Sequence, residues 1–197
     1  MADTLIRRSP LQAWTSRLSQ LPESVSITEE PFVTMVDLWV DPAGPAGTSA
    51  AAVLGITALP TTPGTVVEGS ESSVIWFGPE EFLVTGAGLD GESLETRLRE
   101  AISEQGGAAV DVSAQRTVVR LRGEHARAIL AKGCSLDLHP SVFTLGSATQ
   151  TMLGLAGVVL IPVTDDGTDY RIIVRSSFAG YLADWLIDAS EEYGVRW

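Results

Sequence analysis

Few side chains in this chain of 197 residues can carry chemistry. It has two histidines and one cysteine. His125 opens an apolar-periodic stretch and His139 precedes Pro140. Neither belongs to an H-E-x-x-H or a Cys/His ligand spacing, so both read as structural or merely exposed. Cys134 follows Gly133 at a helix end, where the carbonyl end of the dipole disfavours a thiolate, so it reads as a small buried residue. The most polar constellation inside apolar sequence is Asp111, Ser113, Gln115 and Arg116. A carboxylate and a guanidinium there could orient a pterin or a glutamate tail. The competing picture is a turn whose Asp accepts backbone N–H bonds and whose Arg leaves the sheet for solvent or a partner. Without a second matching carboxylate the turn is favoured.

Gly86-Ala87-Gly88-Leu89-Asp90-Gly91 matches G-x-G-x-x-G between a predicted strand and a predicted helix, where a dinucleotide pyrophosphate could sit. No parallel return strand is evident, and Asp90 sets a negative charge among the amides that would face phosphate. Turn formation and helix capping are therefore the expectation.

The elements that must position these groups follow from periodicity. Ser9-Pro10 forms an N-cap and N1 pair, and Leu11, Trp14, Leu18 and Leu21 recur three and four apart, predicting a short helix that ends before Pro22. Phe32 to Val40 alternates with both faces mostly apolar, as in a central strand covered on two sides or by a partner. The Gly/Pro/Ala segment to Thr48 reads as a loop, with a helical turn or two over Ala50 to Gly55. Val74–Phe77 and Phe82–Thr85 read as a strand pair about a turn. Leu94, Leu98, Ala101 and Ile102 line the clearest helix, which Gly106-Gly107 ends. Val110 to Leu121 reads as strand, tight connection, strand; Gly123 ends it, and Ala126, Ile129 and Leu130 begin a helix stopped by Gly133. Three more strands follow, Thr149–Leu155, Val158–Val163 and Tyr170–Val174, with Asp165-Asp166-Gly167 as a hairpin signal. Ser176 and Ser177 are placed to cap a last helix with a stripe of Phe178, Leu182, Trp185 and Leu186. Strands grouped between single helices predict an α+β fold with largely antiparallel sheets, not a doubly wound parallel sheet. Residues 1–197 form a single domain in this scheme, which permits two sheet-plus-helix lobes joined near Gly106.

Composition narrows the function classes. Thirteen Lys and Arg against 25 Asp and Glu give a net charge of −12, which repels phosphate backbones and anionic lipid and argues against nucleic acid and membrane as partners. A lone cysteine and the lack of an apolar signal core after Arg7 and Arg8 predict a cytoplasmic protein. The longest apolar run, Leu153 to Val163, is broken by Gly154, Gly157 and Pro162 and is too short to span a bilayer.

Four stretches together carry a resemblance: RRSPL from Arg7, WFGPEEFLV from Trp76, DVSAQRTVVRLRGEHARAILAKGCSLDL from Asp111 and YRIIVRSSFAGYLADWLIDA from Tyr170. Over nearly the whole chain the sequence resembles the gamma subunit of heterotetrameric sarcosine oxidase. The resemblance implies a fold similar to the folate-binding domain of the glycine-cleavage T-protein and a non-catalytic role. It implies a complex that oxidatively demethylates sarcosine, with FAD, FMN, NAD and tetrahydrofolate on the other subunits. It implies alpha, beta and delta subunits as partners, with alpha as the contact. No folate-site motif aligns onto Asp111 or its neighbours. A free-standing folate-binding, aminomethyltransferase-like enzyme is the rival, and Asp111 is its one candidate acid.

Five tryptophans stand out in a chain with so few reactive groups. Trp76 and Trp185 lie in strongly apolar elements and are expected in the core. The N-terminal helix can pack on its own domain or dock as an arm on another subunit; because so few apolar residues would leave it prone to fray, Leu11, Trp14 and Leu18 are expected to anchor on a partner subunit. No catalytic, cofactor-binding or metal-binding residue is assigned.

Overall fold

The computed structural model describes residues 6–194, so Trp197 lies outside the described residues. The elements are a 3-10 turn (Gln12–Trp14) leading into α1 (Thr15–Leu18), β1 (Ser26–Glu30), β2 (Thr34–Trp39), α2 (Pro45–Leu54), β3 (Val66–Glu68), β4 (Ser73–Trp76), β5 (Glu81–Gly86) and α3 (Gly91–Ile102). Then come β6 (Ala108–Asp111), β7 (Arg116–Arg122), α4 (Ala126–Ala131), β8 (Thr149–Leu153), β9 (Ala156–Pro162), β10 (Asp169–Arg175) and α5 (Ser176–Ser190), before a closing 3-10 turn (Glu191–Gly194). The strands form two five-stranded sheets, β1-β7-β10-β9-β8 and β3-β4-β5-β2-β6, and all their pairings are antiparallel. This is the α+β, antiparallel architecture that the sequence predicts.

Strand alternation explains the layering. In β2, Val36 and Leu38 point to α2 and α3, where they meet Ala50, Leu54, Leu94, Leu98 and Ile102. Met35 points the other way, into a core that Ile75 and Leu83 share with Val118, Val159 and Ile173 of the opposite sheet. Val119, Leu121, Leu160, Ile172 and Val174 face outward onto α4, α5 and the N-terminal turn. Helices, sheet, sheet and helices therefore stack in four layers, with apolar packing between each. The two-sided apolar pattern of β2 is that of a strand between β5 and β6, covered on both faces by this chain's own residues over most of its length.

Several elements differ from the sequence expectation. The stretch 110–121 is not a hairpin: β6 lies beside β2 in one sheet and β7 lies between β1 and β10 in the other. Residues 112–115 thus carry the chain between sheets, and residues 31–33 do so earlier, so the sheets exchange strands away from Gly106. At that earlier crossing Phe32 holds a left-handed φ of 61°, with the Arg7 guanidinium 4.2 Å from its ring centroid. β1 escapes prediction because Ser-Ile-Thr-Glu-Glu shows one apolar residue. α2 begins at Pro45, since proline at N1 forfeits no helical hydrogen bond, and it ends on Gly55 at φ 68°. In α5 the N-cap is Arg175, and the buried stripe is Ala179, Leu182, Ala183 and Leu186, with Phe178 exposed and Trp185 partly buried. Ser176 donates its hydroxyl to the Ala114 carbonyl instead of capping the helix.

Candidate functional site

The sheet exchange takes apart the polar constellation that the sequence suggested. Asp111 ends β6. One carboxylate oxygen accepts the Ser113 N–H at 2.9 Å and the Ser113 hydroxyl. The other lies against the first residue of α3: a Cβ on Gly91 would meet it at 2.5 Å. There the carboxylate faces the positive end of the α3 dipole. The Asp111 N–H in turn donates to Glu95 at 3.1 Å, and Ser113 Oγ accepts the Met35 N–H. Arg116 opens β7 in the other sheet, its guanidinium 5.5 Å from the centroid of the Phe77 ring. Burial lowers the Arg116 pKa first, and the neighbouring Arg175 charge adds to this, while Asp37 and Glu81 oppose the shift. Asp111 and Arg116 therefore serve different neighbourhoods.

Asp90 caps α3, with its carboxylate accepting the Ser93 N–H at 2.9 Å, so the glycine-rich stretch is a turn and a cap. His125 stacks on Tyr193 with centroids 4.1 Å apart, and His139 Nδ1 lies 2.7 Å from Ser141 Oγ. Cys134 is buried after Gly133, 3.9 Å from Thr151 Oγ1. Among the described residues no group of three His, Cys, Asp or Glu side chains is placed to hold a metal ion.

One candidate for a small ligand is a cleft of about 520 Å³ between the sheets, with apolar walls from Val66, Ile75, Val118 and Ile173. Its charged lining is Glu30, Glu68, Glu71 and Arg171. Arg171 is held by Glu30 at 2.8 Å. Glu30 also accepts from Arg120, whose guanidinium binds both oxygens of Asp169 at 2.7 Å, a bond that raises the Arg120 pKa. A folate carries an anionic tail, and here it would meet Glu68 and Glu71 with the lining cation already paired, so the lining does not fit that group.

The predicted anchor residues lie against this chain's own outer layer. Leu11 is 1% exposed and Leu18 is buried, both in the core beneath β1, β7 and α5. The Leu11 N–H is bound by Glu29 of β1 at 3.2 Å, and Glu29 also accepts the buried Thr117 hydroxyl at 2.7 Å. Trp14 packs over Gly180 of α5, where a Cβ would meet its ring at 2.8 Å, and donates its indole N–H to Asp184. Arg17 pairs with the same carboxylate. Leu11 and Leu18 are thus buried in this chain's own outer core, with Trp14 partly buried against it. Sequence reasoning missed Glu29, Glu30 and Asp169: their partners lie on other strands, and only the register reveals them.

The chain matches the model of the "Sarcosine oxidase, gamma subunit family" over residues 39–192. It is 32% identical over 197 residues to sarcosine oxidase subunit gamma of Corynebacterium sp. (strain U-96), covering 98% of this chain and 94% of the relative. It is 34% identical over 196 residues to the subunit of the same name from Arthrobacter sp, covering 96% and 93%. Among solved structures it is similar to a chain of heterotetrameric sarcosine oxidase from Corynebacterium sp. U-96, with a TM-score of 0.89 and 31% identity over 98% of this chain and 99% of that one. Aminomethyltransferase T of the glycine cleavage system from Bartonella henselae matches at a TM-score of 0.62 and 14% identity over 87% of this chain and 48% of that one, a likeness of fold alone. The chain belongs to the sarcosine oxidase gamma subunit family.

Proposed function

We propose that the chain is a non-catalytic, structural subunit of a flavin-dependent complex. That complex oxidises the N-methyl group of sarcosine with oxygen as acceptor, giving glycine, hydrogen peroxide, and 5,10-methylenetetrahydrofolate or formaldehyde. The observation that carries this is the full-length match to one chain of a heterotetrameric sarcosine oxidase. In this proposal FAD, FMN, NAD and tetrahydrofolate are held by the other subunits. Residues 1–197 act as one gamma-subunit domain against alpha, beta and delta chains, with alpha as the principal contact, in the cytoplasm. Among the described residues no helix is long and apolar enough to cross a membrane.

Local chemistry supports the division of labour. Asp111, the acid that a folate-dependent enzyme would need, is engaged by Ser113 and the start of α3, and the inter-sheet cleft presents carboxylates where a folate tail needs cations. The test is calorimetry and flavin absorbance on the purified chain. No saturable heat with tetrahydrofolate, no bound flavin and no sarcosine turnover are expected. Saturable folate binding that Asp111→Ala abolishes would establish the aminomethyltransferase-like reading instead.

A further inference from the structure

The two sheets do not cover each other completely. Asp37 and Trp39 alternate with the helix-facing Val36 and Leu38 and so face the opposite sheet, as Met35 does. The register sets Val110 opposite Asp37 and Glu81 opposite Trp39. On the other sheet, Arg116 stands opposite Arg175 and Met152 opposite Gly157, on the face that sends Val118, Ile173 and Val159 into the shared core. Inward-facing side chains of two packed sheets ordinarily lose their water. Yet Trp39 is 48% exposed, Val110 51% and Met152 51%. A cavity of about 410 Å³ opens beside Met152, lined by Phe77, Arg116, Gln150 and Arg175 among others, and Asp37 and Glu81, the neighbours of Val110 and Trp39 on the facing sheet, act on its Arg116.

The polar groups at this mouth are incomplete in complementary ways. Asp37 Oδ1 is buried and accepts no hydrogen bond, a costly state until a donor reaches it. Arg120, Arg122 and Arg171 of the same sheet are all in salt bridges. Among the described residues Arg116 and Arg175 make none, and they face each other across neighbouring strands. The acidic groups near Arg116 are Asp37 and Glu81, and burial followed by Asp37 raises the Glu81 pKa. A free anion entering the mouth would be opposed by these two carboxylates. An extended peptide meets them with main-chain N–H groups and can still bring its own carboxylate to the arginines.

We propose that this mouth docks an extended segment of another subunit of the oxidase, which lays an apolar side chain against Trp39, Val110 and Met152, brings a carboxylate to Arg175 and Arg116, and donates a hydrogen bond to Asp37. This docking rests on the chain's being the gamma subunit, which requires that some face meet a partner. Tryptophan and arginine flanked by apolar side chains are the composition of an interface centre.

The test uses the assembled complex. Hydroxyl-radical labelling read by mass spectrometry, with each residue's rate set against its rate in the denatured chain, reports cover at Trp39 and Met152 without any substitution. Docking predicts about tenfold or greater protection of both, where half-exposed side chains would be slowed only about twofold, in line with how an interface centre excludes water. In the co-expressed complex, Arg175→Glu is expected to cut recovery of the chain about tenfold or more, a loss typical of reversing a desolvated charge, and Arg175→Lys to keep most of it. An intact complex in which Trp39 and Met152 label at the half-exposed rate, or in which Arg175→Glu is recovered normally, overturns the docking and leaves the subunit assignment standing. Failure of the unmodified chain to co-purify with the other subunits overturns the subunit assignment itself.

Discussion

Glu29 and Arg120 show how single carboxylates and guanidiniums organise the outer sheet. Glu29 joins the N-terminal turn to β7 through the Leu11 N–H and the Thr117 hydroxyl. Glu29→Ala leaves a buried hydroxyl and a helix-start N–H unpaired, and a loss of about 1–3 kcal/mol is expected in denaturant melts. Arg120 gathers Asp169 and Glu30, both largely shielded from solvent. Arg120→Ala leaves Asp169 to Arg122 and Glu30 to Arg171 alone and is expected to cost about 1–2 kcal/mol, while Arg120→Lys recovers only part because it loses the bidentate bond. At Asp184, the Trp14 indole N–H first, and Arg17 next, hold the carboxyl below the ordinary range. A folded pKa below the unfolded one means that the contact stabilises at neutral pH and is lost as pH falls from about 4 through the lower folded value. The stability gap between the unmodified protein and Asp184→Asn should therefore shrink toward zero on acidification; a gap independent of pH across that window would contradict the contact. None of these roles was legible in the sequence, because each depends on a partner about 20 to 170 positions away, as between Leu11 and Glu29 or Trp14 and Asp184.

Elements with strong periodicity were legible. α3 carries an apolar stripe and an Asp90 cap, and the 74–85 strand pair turns at Gly78-Pro79, as their spacing predicts; α4 ends at Ala131, just before Gly133, without a left-handed glycine. β1 was hidden because four of its five residues are polar, and β3 because three residues are too few to show a period. The crossing between sheets at 112–115 was hidden because a four-residue connection has the same composition whether it closes a hairpin or changes sheet. Gly123 is where an element boundary and backbone chemistry coincide. At φ 126°, its Cβ position lies 2.0 Å from the Ser24 carbonyl oxygen. Gly123→Ala should therefore cost at least about 2 kcal/mol, read by thermal melting, since the approaching group is backbone and cannot rotate away. Leu11 is buried in this chain's own core, so Leu11→Ala should destabilise the protein by about 2–5 kcal/mol. Normal stability with weakened retention in the complex would instead restore Leu11 as a partner anchor.

At the scale of the molecule, two antiparallel sheets share one inner core and carry their helices outside. This layout leaves two mouths between the sheets. One is a cleft with an acidic lining, and the other is lined by Met152, Arg116 and Arg175, with Trp39 and Val110 exposed on the facing sheet. The α+β class could be read from strand grouping, and the family from motifs spread over the chain. The mouths could not, because they arise where two sheets fail to overlap, which no local pattern encodes. The central claim is that the chain works as one structural subunit of a larger flavoprotein. It is tested most directly by native mass measurement of the complex captured through a tag on this chain and co-expressed with its candidate partner subunits. One copy of this chain bound to three other polypeptides, with all flavin mass on those partners, is the predicted result; recovery of the chain alone, as a monomer or a self-assembly, or with flavin attached to it, would contradict it.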